Sequence, residues 1–174
     1  LKEKKNLRII ELPNLTVEEE SLDLKKVDGG LLFQEKDTNT LDQENLKVVS
    51  QKRPTKKQWE DLIFAWKVVK HVKSNAIVIA KDKKTLGIGA GQMSRVDSAF
   101  IAIRKAKTNK FNLEGASLAS DAFFPKEDAV ILACRNKIKA IIQPGGSVED
   151  EKIIRIVDKY KIAMVFTGIR HFKH

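Results

Sequence analysis

Ile138-Lys139-Ala140-Ile141-Ile142-Gln143-Pro144-Gly145-Gly146-Ser147 holds the transition on which the fold turns. A short apolar run bounded by a proline-glycine turn reads as a buried strand over 138–142. The turn feeds a helix over 149–159, and 162–166 is again apolar and strand-like. One step towards the N-terminus the same alternation recurs, with a strand over 116–119 and then a helix carrying Pro125 near its start, a position that proline tolerates. Strands alternating with helices imply an α/β fold, a layered domain around a largely parallel sheet.

Further out, Val96, Ala99, Phe100, Ile103 and Ala106 recur at helical spacing and predict a helix over 94–107. Before it, strands over 76–80 and 86–89 flank the polar turn Lys81-Asp82-Lys83-Lys84, the pattern of a hairpin. Thr55 and Gln58 have capping-box spacing, so a helix begins after Pro54. Trp59, Leu62, Ile63, Trp66, Val69 and Val72 give that helix an apolar face, with both tryptophans as core. This regular region, 54–174, is expected as one domain. Residues 1–53 differ: short apolar pieces (Leu7-Arg8-Ile9-Ile10, Leu31-Leu32-Phe33, Lys47-Val48-Val49) alternate with acidic and Asn-rich connectors. Gly29-Gly30 reads as a tight turn into a strand. Such a segment is too thin for a core of its own and is expected to continue from an upstream region.

The chain has 174 residues, 42% of them hydrophobic and 32% charged, the composition of a globular protein. No apolar run approaches the roughly 20 residues of a membrane span, and the charged start Leu1-Lys2-Glu3-Lys4-Lys5 has no apolar stretch behind it. Neither export nor membrane insertion is expected. Cys134 is the only cysteine and lies in an apolar helical pattern, which makes it a core residue of a cytoplasmic protein. The net charge of +10 attracts anions such as nucleotides, nucleic acids or a polyglutamylated cofactor. The bases are interspersed with acids, and the eleven aromatics (8 Phe, 2 Trp, 1 Tyr) do not interleave with them as a base-stacking platform would. No nucleic-acid partner is therefore expected, although a nucleotide- or RNA-binding module without catalysis is the rival reading.

Gly87-Ile88-Gly89-Ala90-Gly91-Gln92-Met93-Ser94 lacks the third glycine of a dinucleotide fingerprint, and NAD binding is discarded. Two readings of these glycines stay open: a close backbone approach for an anion or planar ligand near Arg95, or strand-end glycines of purely structural use. Pro144-Gly145-Gly146-Ser147 could offer free N–H groups to an anion, or Ser147 could simply cap the helix. Arg170-His171-Phe172-Lys173-His174 could be a loose basic tail, or a segment leaving the ligand-binding edge of the sheet. His171, His174 and Cys134 lack metal-ligand spacing, so no metal is expected. Lys70-His71 resembles an acid/base pair but falls near a helix end, where solvated surface is the plainer role.

Several blocks taken together are more specific. Ser74-Asn75-Ala76-Ile77-Val78, Gly87 to Arg95, Ala119-Ser120-Asp121-Ala122-Phe123-Phe124-Pro125, Ile142 to Ser147, and Phe166 to His174 resemble, in order, a bifunctional purine-biosynthesis family. That family joins an AICAR transformylase to an IMP cyclohydrolase. Gly29-Gly30-Leu31-Leu32-Phe33-Gln34 is similar to an upstream block. The resemblance implies a C-terminal part of the transformylase region, with a layered α/β/α cytidine-deaminase-like fold used without zinc.

It further implies formyl transfer from 10-formyltetrahydrofolate, the co-substrate, to the amine of AICAR, giving FAICAR on the way to IMP. By this resemblance Asn75 orients the carboxamide and amine, Arg95 and Arg170 clamp the nucleotide, and Phe172 packs near the base. Phe123, Asp128 and Ser147 line the folate side, where Lys126-Glu127 replaces the more usual Phe-Arg. A homodimer with shared sites is implied, and a structural alkali cation is left open. The family's catalytic Lys-His-x-x-Pro block is absent. Lys70-His71 is not its equivalent, so this chain alone is expected to be inactive.

Overall fold

The computed structural model describes residues 6–8, 10–11, 22–39 and 41–173. The charged residues 1–5, Ile9 and His174 lie outside the described residues, and Leu7, Arg8 and Ile10 form no strand. The chain divides into two units, Leu1–Asn39 and Thr40–His174. In the first, β1 (Leu22–Val27) and β2 (Gly30–Glu35) pair antiparallel around a turn in which Gly29 has φ 79°. Every residue of this hairpin is exposed except the half-exposed Val27, so it builds no core.

The division falls ahead of the boundary expected at 53/54. The reason is β3 (Lys47–Val48), which pairs with a strand of the second unit instead of joining the pieces before it. Its continuation is fastened too: Val49 donates its N–H to Met164 O, and the Ser50 hydroxyl accepts the N–H of Met164 and donates to Lys52 O.

The second unit continues through α1 (Lys56–Val69), β4 (Ile77–Lys81), β5 (Lys84–Gly89), α2 (Arg95–Thr108), β6 (Ser117–Ser120), α3 (Asp128–Arg135), β7 (Ala140–Gln143), α4 (Asp150–Lys159) and β8 (Ala163–Phe166). The capping box at Thr55 and Gln58 is present in full, and Ser94 caps α2 by accepting the N–H of Asp97. Pro125 precedes α3 rather than entering it. Asp82 and Lys83 carry positive φ in the β4–β5 turn, and the buried Asp61 of α1 accepts the N–H of Lys83, which holds that turn to the helix.

The sheet has six strands in the order β3-β8-β7-β6-β4-β5. β6, β7 and β8 are mutually parallel, but β4 is antiparallel to both its neighbours and β3 is antiparallel to β8. The largely parallel sheet expected from alternation is therefore a mixed one. The hairpin explains it: β4 must reverse against β5, and it inserts between β5 and β6.

Strand pleating sends alternate residues to opposite faces. Ile77 and Ile79 of β4, with Leu118, Ile141 and Met164, meet Ala99, Ala102, Ile103, Val130, Ile153 and Val157 from α2, α3 and α4. Ala76, Val78 and Ala80, with Ile142 and Val165, meet Leu62, Ala65, Trp66 and Val69 of α1. The result is the expected α/β/α sandwich. Trp66 is 2% exposed, whereas Trp59 is only partly buried at the margin of that second cluster. Cys134 lies in the first cluster, and burial pushes its thiol up to about 11.

β5 rests on α2 at backbone distance. A Cβ on Gly87 would lie 2.0 Å from Ala102 O, and one on Gly89 would lie 1.9 Å from Ser98 O. Gly87 and Gly89 let a helix sit directly on a strand, the packing reading of these two glycines. Gly87→Ala should destabilise the fold by about 3 kcal/mol, the upper range for overpacking, read as a lower urea midpoint. Cys134 should resist iodoacetamide at pH 8.5, because its folded thiol ionises only near 11. It should react at the rate of a free thiol once denaturant unfolds the domain.

Candidate functional site

Because β4 is antiparallel, its start lies at the same edge of the sheet as the ends of β5, β6, β7 and β8. Five segments therefore converge there: Ser74-Asn75 before β4, the β5–α2 loop with Arg95, Asp121 after β6, Pro144 after β7, and Thr167 to Lys173 after β8. The mouth formed where strand ends meet loops is where α/β domains carry ligands.

Asn75 and Arg95 are brought together. The Asn75 amide donates from Nδ2 to Gln92 O at 2.9 Å and Met93 O at 3.2 Å, and its Oδ1 accepts from Arg95 Nη2 at 2.8 Å. Two carbonyls on one side and a guanidinium on the other fix which way the amide faces. Its nitrogen is satisfied, so what Asn75 can present to a ligand is the second lone pair of Oδ1. The backbone is held as well: Asn75 N–H donates to Gln92 O, and Asn75 O accepts from the Ser98 hydroxyl.

The resemblance implies a nucleotide clamp at Arg95, but its fork turns inward. The residue is 7% exposed, and Nη1 donates to Ser120 Oγ at 2.9 Å and to Asp121 Oδ1. Both terminal nitrogens of this guanidinium are engaged inside the protein, one of them on Asn75. Arg170 differs: it is exposed, with its guanidinium carbon 5.4 Å from the centre of the half-exposed Phe172 ring. An exposed fork beside an aromatic face is suited to a phosphate next to a base.

The segment bearing these two residues is pinned along its length. Thr167 N–H donates to Gln143 O, Gly168 N–H to Pro144 O, and His171 N–H to Asp121 O. Ser74 N–H donates to Lys173 O at 2.7 Å, and Lys173 N–H returns to Ser74 Oγ at 3.0 Å. The His171 ring is 2% exposed and packs on Trp66 at 4.9 Å between centroids. Of the two readings of this basic ending, the structure takes the ordered one through Lys173.

The N–H groups of the glycine-rich loop after β7 are engaged within the chain. Gly145 N–H donates to Gln143 Oε1, and Gly146 and Ser147 N–H both donate to Asp150 Oδ2. The chain's own carboxylate occupies the place an external anion would take. Ser147 is not the cap of α4 either, since that position is Glu149; its hydroxyl accepts the N–H of Glu149.

Phe123 is half-buried in the β6–α3 loop, two residues beyond Asp121. Asp128 opens α3, its Oδ1 accepting the N–H of Ala129. It borders an open cleft of about 520 Å³ between α2 and α3, with Val96, Asp97, Phe100, Ile131 and Arg135. At position 127, where the sequence departs from the resembling pattern, Glu127 reaches Lys152 of α4 at 2.9 Å, and that hydrogen bond holds its carboxyl below the usual range. Neither Phe123 nor Ser147 lines the Asp128 cleft.

Ser74, Ser98, Ser120 and above all Asp121 escaped the reading of the sequence. A signal was present: Asp121 follows the apolar strand end and precedes Ala122-Phe123-Phe124, and a charge inside an apolar run implies a buried partner. Lys70 ends α1 as its cap residue and His71 is exposed, in keeping with a surface role. Among the described residues no group of three or more His, Cys, Asp or Glu is placed to hold a metal, and no helix is long and apolar enough to cross a membrane.

The fold is that of a three-layer α/β domain with a polar, arginine-containing cluster at one edge of its sheet. The family model described as the AICARFT/IMPCHase bienzyme matches residues 1–105, and the chain belongs to that family. It is 57% identical over its whole length to the bifunctional purine biosynthesis protein PurH of Caldicellulosiruptor saccharolyticus, covering 33% of that protein. It is 53% identical over 98% of its length to the PurH of Persephonella marina, again covering 33%. The chain thus spans about a third of the length of the relatives it matches, and its expected C-terminal place rests on the resembling blocks alone.

Among solved structures, a diaminohydroxyphosphoribosylaminopyrimidine deaminase/reductase of Thermotoga maritima overlaps 62% of this chain and 34% of its own at a TM-score of 0.37 and 19% identity. The RibD of Acinetobacter baumannii overlaps 63% and 34% at 0.42 and 14%. These overlaps are too slight to assign a fold.

Arg95→Ala should cost about 3–5 kcal/mol, because it leaves the 1%-exposed Asp121 carboxylate buried without its counter-charge. A chemical-denaturation curve at neutral pH reads this directly, with Arg170→Ala within about 0.5 kcal/mol of wild type as the surface control.

Proposed function

We propose that this chain supplies the nucleotide- and folate-binding part of an AICAR transformylase, which moves the formyl group of 10-formyltetrahydrofolate to the AICAR amine and yields FAICAR. The observation that carries the reading is the fixed Asn75 amide at the sheet edge, in a chain that belongs to the bienzyme family. The amine is a weak nucleophile because its lone pair is delocalised towards the neighbouring carboxamide. An acceptor that holds one amine N–H aims the remaining lone pair at the incoming carbonyl carbon, and alignment of this kind lowers the barrier. The open lone pair of Asn75 Oδ1 is suited to that task. Arg95 keeps the amide in place, Arg170 meets the phosphate, and Phe172 covers the base.

The cleft bordered by Asp128 fits the folate. Its apolar wall takes the flat rings, Asp128 accepts from heterocycle N–H groups, and Arg135 is placed to meet a glutamate carboxylate. Phe123 and Ser147 lie outside this cleft and are assigned to the folate by the resemblance alone. The bound folate supplies the activated formyl group. Proton removal from the amine is the work of the Lys-His-x-x-Pro block that the resemblance implies and this sequence lacks, so orientation and binding are this chain's share. The chain is read as belonging to the C-terminal part of the transformylase, in a cytoplasmic homodimer with shared sites.

In the full-length protein, Asn75→Ala should lower kcat/KM for AICAR about a hundredfold while folate affinity stays within twofold, followed by the absorbance of released tetrahydrofolate. Unaltered turnover would remove Asn75 from the mechanism.

A further inference from the structure

Asp121 is bonded through both carboxylate oxygens at this edge and has no role in the scheme above. It is 1% exposed. Oδ1 accepts from Arg95 Nη1, and Arg95 Nη2 in turn fixes Asn75 Oδ1. Oδ2 accepts from the Ser74 hydroxyl at 2.6 Å, and that hydroxyl accepts the N–H of Lys173. The backbone O of Asp121 accepts the N–H of His171, while its N–H donates to Ala76 O. The two oxygens of one carboxylate therefore lead to different places. One leads through Arg95 to the amide that faces the amine, and the other leads through Ser74 to the segment that carries Arg170 and Phe172.

We propose that Asp121 is a positioning residue that couples the two halves of the nucleotide site, setting Asn75 through Arg95 and the Arg170–Phe172 segment through Ser74. This assignment rests on the transformylase reading for the identity of the nucleotide, but the coupling itself is a property of the hydrogen-bond chain. A carboxylate is needed in that position because it accepts on both oxygens at once while balancing the buried guanidinium. An amide of the same shape would present a donor to Ser74 and leave Arg95 without a counter-charge. The Ser74 hydroxyl, donating to Asp121 while accepting from Lys173, is the relay, and alanine there cuts one branch only.

The test uses the full-length protein with Ser74→Ala and Asp121→Asn. Ser74→Ala should raise the KM for AICAR about tenfold, the order expected for one buried hydrogen bond. The KM for 10-formyltetrahydrofolate and kcat should stay within twofold. Tryptic cleavage after Arg170 should quicken several-fold, since the segment loses a tether. Asp121→Asn should raise the KM for AICAR and also lower kcat at least tenfold, because both branches are disturbed. If Asp121→Asn does not fold, the Ser74→Ala measurements decide alone.

The proposal is overturned if Ser74→Ala leaves AICAR affinity and tryptic cleavage unchanged. It is equally overturned if that variant weakens nucleotide and folate together with a drop in Tm, the pattern of general loosening. Wild-type protein that binds AICAR but transfers no formyl group would sink the transformylase reading alone, since calorimetric AICAR affinity and the cleavage rate still report the coupling.

Discussion

The buried pair of Arg95 and Asp121 is the constraint around which this edge of the domain is organised. Burying two charges is expensive, and the mutual attraction repays the loss of water only when the remaining donors and acceptors are also satisfied. Here they are met by Ser74 and Asn75 from the approach to β4 and by Ser120 from the end of β6. A pair of this kind adds little net stability compared with apolar residues of similar volume. Its value is geometric: the penalty for any arrangement that separates the charges restricts the β5–α2 loop, the β6–α3 loop and the approach to β4 to one relative placement.

That placement is available only because of the strand order. Had all the strands run one way, the start of β4 would lie at the opposite edge from the ends of β6 and β8, and Ser74-Asn75 could not meet Asp121. The antiparallel hairpin of β4 and β5, inserted beside β6, turns the beginning of one strand towards the ends of the others. Gly87 and Gly89 then let α2 lie on β5 at backbone contact, which brings the first turn of the helix, and Arg95 with it, down to the sheet rim. Packing on the strand and electrostatics at its end are thus successive consequences of one supersecondary unit.

Much of this was legible in the sequence, for identifiable reasons. Alternating apolar runs located β6, β7, β8 and the helices between them, and the spacing of Thr55 and Gln58 located the start of α1, because local hydrogen bonding determines such features. The pairing of β3 was not legible: two residues of edge strand carry no periodicity, and what recruits them is the exposed margin of β8, far away in the chain. The glycines of β5 and of the β7–α4 loop were ambiguous because glycine marks a close approach without saying to what. In one case the neighbour is the α2 backbone; in the other the Asp150 carboxylate takes the N–H groups. Within the site, block resemblance located Asn75 and Arg95 but could not tell an outward-facing arginine from an inward-facing one, since burial is a property of the folded chain.

The contrast between the two arginines has a consequence for how the site can work. Arg170 stands exposed beside Phe172, so its side chain retains rotamer freedom, which suits the phosphate role proposed for it. Arg95 has little such freedom, and the amide it holds is ordered before any ligand arrives. Preorganisation is most useful at the reacting atom, where a small misplacement is costly in rate, and adaptability is most useful at the distal phosphate, where binding must only be strong. Under the transformylase reading proposed above, a fixed amide assigned to the amine and an exposed cation assigned to the phosphate would separate those two demands. The backbone bonds between Ser74 and Lys173 set the distance between them.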